Sequence, residues 1–225
     1  MDVGYNLNYG NYDDRHITDD EKWSAFSKCF LLQLNCNESY KFAFLKSILD
    51  NLYNTDKQLV LSFDQLFSTF AELYWNLILN CKLRQMAASN KDKRPALESL
   101  FIISAKMFGI DKDTIYESLP EKFKANINNQ VKIKCKKNIV EELFVDTNKI
   151  FYSFNVSEEW IKFNPLMYEF VCKNKLILEK VNYFEWAKFL EKANCASNAI
   201  HVLSKLNDCT KHNELSVYID ALYKD

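Results

Sequence analysis

Cys195, His201, Cys209 and His212 are the closest approach of this sequence to a metal centre. Zinc sites bring their ligands in tightly spaced pairs. Here the gaps are six, eight and three residues, the remaining histidine is His16, and neither Cys-x-x-Cys nor His-x-x-x-His occurs. We expect no metal and no cofactor. Nucleophilic catalysis has no better footing. There is no Gly-x-Ser-x-Gly elbow, and three glycines leave little from which to build a phosphate-cradling loop. Asp64 and Glu72 are eight residues apart, about two turns of a helix, and read as solvated carboxylates rather than an acid/base pair. No catalytic residue is assigned, and whether the chain is an enzyme stays open at this point.

One stretch has a biased charge. Residues 122–140, KFKANINNQVKIKCKKNIV, carry Lys122, Lys124, Lys132, Lys134, Lys136 and Lys137 and no acid. Such lysines can hold phosphates, because each contact releases condensed counterions. They are the candidate nucleic-acid contacts. The competing reading is a solvated lysine-rich surface offset by Glu141, Glu142 and Asp146. The net charge of −1 supplies no global attraction to nucleic acid, so any basic surface must be local.

These residues must be positioned by helices. The most strongly patterned stretch is 62–85, SFDQLFSTFAELYWNLILNCKLRQ, whose apolar residues recur in steps of three and four. Ser62 is a suitable N-cap, with Asp64 and Gln65 in the first turn. A wide aromatic stripe predicts a single buried helix. The pattern predicts further helices over 20–34, 38–53 (capped by Asn37) and 95–108, the last with Gly109 as C-cap. Others are expected over 111–118, 120–129, 136–144, from 165 onward, over 176–193, 197–206 and 213–223. Lys149–Phe154 and Trp160–Phe163 read as two short strands joined by NVSEE.

The expected fold is therefore mainly α, a bundle-like multi-helix domain with one small β-hairpin near residues 149–163. We divide it into a flexible arm (1–18), a helical core (19–145), and a hairpin with C-terminal helices packed on that core (146–225). No apolar run approaches the roughly 18 residues of a membrane span, and the N-terminus shows no leader, so a cytoplasmic setting is expected. Seven scattered cysteines are then expected to be reduced thiols.

Several segments resemble the N-terminal helical region of a bacterial HNH endonuclease family. They are SYKFAFLKSILDNL (39–52), LSFDQLFSTFAELYWNLILNCKLRQ (61–85), FYSFNVSEEWIKFNP (151–165), VNYFEWAKFLEKAN (181–194) and TKHNELSVYIDALY (210–223). They occur in the family's order and span most of the chain from about residue 38. The resemblance implies a non-catalytic scaffold that positions DNA or a nuclease module in a defence or restriction endonuclease. In that family a Cys-x-x-Cys segment and the HNH module follow the helical region. No residue here matches them, so nuclease activity is implied only with a module supplied by a longer product or a partner. Where relatives carry arginines in the last helical segment, His212 and Ile219 stand here, which weakens a phosphate role for that end. The alternative is an accessory protein-interaction subunit of a multi-component phage-defence system, touching no nucleic acid.

Overall fold

The computed structural model describes residues 7–33, 38–87 and 94–194, together with Val202 and Leu206. Among these, the fold is mainly α: six helices and a small four-stranded antiparallel sheet. The helices are α1 (Asp19–Gln33), α2 (Tyr40–Asp50), α3 (Phe63–Trp75), α4 (Ala96–Phe108), α5 (Glu121–Asp146) and α6 (Pro165–Ala193). The strands are β1 (Tyr9–Gly10), β2 (Val60–Ser62), β3 (Tyr152–Asn155) and β4 (Trp160–Phe163), in the order β1-β3-β4-β2.

Helix α3 begins where its cap predicts. Ser62 Oγ accepts from the Gln65 amide at 3.3 Å, and Gln65 Oε1 accepts from the Ser62 amide at 2.9 Å. Its rings stack through the core: Phe70 on Tyr74 at 4.7 Å, Phe67 against Phe44 of α2 at 5.6 Å, and Trp75 against Phe101 and Phe123 at 5.4 and 5.5 Å. Its main neighbours are α2 and α5, while α6 packs chiefly on α2. A polar bridge adds to that contact: Ser39 Oγ and Trp186 Nε1 both donate to Gln85 Oε1, at 2.6 and 3.3 Å.

The expected single helix over 62–85 is shorter. After Trp75 the chain widens into a π-helical segment, Asn76–Asn80. Buried Asn76 stands at its start, where its backbone carbonyl accepts the Cys81 amide at 2.9 Å and its side-chain oxygen accepts from the Tyr116 amide at 3.0 Å and from Asn80 Nδ2 at 2.9 Å. The short helices expected over 120–129 and 136–144 are one helix, α5. Those expected from 165 and over 176–193 are likewise one, α6. The helix expected over 111–118 is reduced to a 3-10 turn at Tyr116–Ser118. Asn37, Leu34 and most of 197–223 lie outside the described residues.

The hairpin forms as expected but does not stand alone. β2, where the sequence pattern predicts no strand, pairs with β4 in the register Leu61↔Ile161. On the far side β1 pairs with β3, Gly10 opposite Phe154. A Cβ on Gly10 would lie 2.6 Å from the Phe154 ring and 2.9 Å from that of Phe144. The arm expected to be flexible is thus docked over residues 7–18, with its own Ile17 buried in the core. Strands from all three expected segments share one sheet, and one continuous apolar core runs from Ile17 to Leu206.

Candidate nucleic-acid interface

All six candidate lysines lie on α5. Nothing in its 26 residues breaks a helix: Pro120 sits at the N-cap position, Glu121 in the first turn, and no proline or glycine follows. The buried residues Phe123, Ile127, Val131, Cys135, Ile139 and Leu143 recur at every fourth position. Four residues overshoot a 3.6-residue turn, so that line winds around the axis by about 40° per step, roughly 200° in all. A face that is solvent-exposed near Lys122 is therefore inside by Val140. The same winding sweeps some lysines inward and leaves others out.

Lys132 is one of those carried inward. It is 8% exposed, and its ammonium donates to Asp64 Oδ1 at 2.7 Å and to Glu159 Oε2 at 2.6 Å. Lys136 donates to the other oxygen of Glu159 at 2.5 Å. Burial would lower the Lys132 pKa, but the hydrogen bonds that it donates to Asp64 and Glu159 outweigh this and raise it. The hydrogen bonds from Lys132 and then Lys136 hold the Glu159 carboxyl below its usual range.

Glu159 occupies the hairpin turn at φ 60°, a left-handed conformation, and its carbonyl accepts the Phe63 amide at 2.8 Å. The hairpin turn, the start of α3 and the middle of α5 thus meet at one residue. Glu159 carries no signal in the sequence, because the hairpin turn joins α3 and α5 only after folding. Lys124 is also engaged, donating to the Glu117 carbonyl at 2.9 Å and to Glu121 at 2.8 Å.

Lys122, Lys134 and Lys137 remain. All three are exposed, and none forms an ion pair among the described residues. At 100° per residue they fall within an arc of about 120°, and along the axis they span roughly 22 Å. Asn126, Asn129 and Asn138 are exposed on the same helix. The resulting surface is basic and amide-rich, and Lys134 within it also lines a cleft with Glu38 and Glu142.

Other candidates resolve differently. Among the described residues no three His, Cys, Asp or Glu side chains could hold a metal together. Cys195, His201, Cys209 and His212 lie outside them. Asp64 is committed to Lys132. Cys135 and Cys172 are free thiols, but Cys81 is disulfide-bonded, against the expectation of reduced thiols throughout. Among the described residues no helix is long and apolar enough to cross a membrane. Compared with known protein families, curated proteins and solved structures, the chain matches none.

Proposed function

We propose that this chain is a helical, non-catalytic scaffold that lies against a nucleic-acid backbone through the outer face of α5. In this reading it belongs with the helical region of an HNH-type defence or restriction endonuclease, and a nuclease module supplies the chemistry. The observation that carries it is the segregation of the six lysines. Lys132, Lys136 and Lys124 bind the protein itself, while Lys122, Lys134 and Lys137 face solvent on one side of one rigid helix. A span of about 22 Å covers roughly two thirds of a B-DNA turn of ~34 Å.

The test is fluorescence anisotropy with a labelled duplex across a salt series. Replacing Lys122, Lys134 and Lys137 together by Glu should weaken binding and reduce the slope of log K against log salt by about 2.7, near 0.9 per lost phosphate contact. No binding by the parent protein, or an unchanged slope in the triple variant, overturns the reading. A cytoplasmic setting is part of it. Mass spectrometry after alkylation of intact cells tests it, since a reducing compartment keeps cysteines as thiols.

A second reading has its own observation. Ile177, Val181 and Phe184 form an exposed stripe at helical spacing on α6, and Ile103 and Met107 form another on α4. Apolar surface of this kind suits a protein partner. Self-association or partner binding that persists in high salt would favour an accessory protein-interaction subunit over the DNA-facing scaffold.

A further inference from the structure

A cleft of about 350 Å³ opens where the start of α2, the start of α4 and the middle of α5 converge. Glu38 and Tyr40 form one wall, and Lys134, Cys135, Asn138 and Glu142 form the other, with Ala96 and Ile139 supplying apolar surface. The volume is that of a site for a small organic molecule, and far exceeds what a bare ion fills.

The two carboxylates in this cleft are only partly offset by cations: Lys134 and Lys41 lower the Glu38 and Glu142 carboxyls, but burial outweighs them at both. The cation nearest Glu142 is Lys41, but its ammonium is committed to Asp146 at 2.6 Å and reaches Glu142 only at 3.8 Å. Lys134 lies in the wall and forms no ion pair with Glu38 among the described residues. Burial raises the carboxyls of both Glu38 and Glu142, and the charge of Glu38 adds to the effect at Glu142. Two further polar groups are uncommitted. The Tyr40 oxygen is buried with Glu38 beside it but makes no well-formed hydrogen bond, and the free Cys135 thiol, only 5% exposed, lines the cavity. A group with a positive charge and several N–H donors would meet all of these acceptors.

We propose that this cleft binds a small organic ammonium compound, its nitrogen held between Glu38 and Glu142 and its short carbon body against Ala96 and Ile139. A metal ion fits less well. No three metal-ligating side chains converge among the described residues, and burial pushes the Cys135 thiol up to about 12, which keeps it from acting as a thiolate ligand. The site shares Lys134 with the proposed DNA-facing surface, whereas Lys122 and Lys137 do not line it.

The experiment is a titration of isotopically labelled full-length protein with n-butylamine hydrochloride, followed by amide and side-chain NMR shifts. Butan-1-ol, sodium butyrate and magnesium chloride serve as comparison ligands. Saturable shifts at Tyr40, Cys135 and the Asn138 side-chain amide are expected with the amine, and much weaker ones with the alcohol. Glu38→Gln and Glu142→Gln, separately and together, should weaken the amine, the double variant by at least about tenfold. Lys134→Gln, which removes a like charge, should tighten it. Thermal melts confirm that each variant is folded. The proposal fails if no shift saturates, if butan-1-ol or magnesium binds as well as the amine, or if the folded double variant binds the amine unchanged.

Discussion

Glu159→Gln tests the junction at which hairpin, α3 and α5 meet. The substitution keeps size and shape but removes the charge that receives Lys132 at 2.6 Å and Lys136 at 2.5 Å. A hydrogen bond to a charged group contributes about 1.5–3 kcal/mol when shielded. The Glu159 side chain is 31% exposed and that of Lys136 22%, so solvent screens part of this. Lys132 also keeps Asp64. The net loss should be about 1–3 kcal/mol at neutral pH, and each kcal/mol moves the melting temperature of a chain this long by roughly 2–4 °C.

The pH dependence carries the sign. Glu159 has a folded pKa below its unfolded value, so its stabilisation is fully present above the unfolded value of 4.5. It is lost as pH falls through the folded value. Urea denaturation of parent and variant at several pH values measures this. The gap should be constant at neutral pH and close in acid, while DNA binding by the folded variant should be unchanged. A variant as stable as the parent at pH 7, or a gap that widens in acid, would refute the ion-pair account of this junction.

Glu38→Gln with Glu142→Gln should show the opposite pH dependence. Their folded pKa values are raised, so the parent carries a penalty at neutral pH that vanishes as pH falls toward 4.5, and the double variant should melt higher at pH 7 but not in acid. Trp75→Ala removes a fully buried ring and its hydrogen bond to the Thr114 carbonyl at 2.8 Å, and should cost about 3–5 kcal/mol in urea denaturation. A folded Trp75→Ala protein that has lost only binding would show that α3 serves recognition directly. Gly10→Ala forces a methyl against two rings, so hydrogen exchange at Val156, whose amide bonds to Asn8 O, should accelerate. Unchanged exchange would mean that β1 does not depend on that close approach.

Much of the fold was legible in local pattern. The Ser62–Gln65 capping box, the start of α4 after Pro95, Gly109 at φ 65° and the hairpin strands are each specified by a few adjacent residues. Short-range chemistry decides them, so sequence alone was enough. The continuity of α5 was not legible, because its apolar line winds around the axis and breaks into two shorter periodic runs when read in windows. Nor was β2, three residues long, which is a strand only because β4 lies beside it.

The division of the lysines shows the same limit. The sequence determined that six lysines cluster without an acid between them. Only the tertiary structure decided which are available, because Asp64 and Glu159 stand 68 and 27 residues from Lys132 and reach it only after folding. The cleft at Glu38 and Glu142 arose in the same way. Each carboxylate is ordinary where it stands in the chain, and becomes unusual only when helix packing removes more water from both than Lys134 and Lys41 offset.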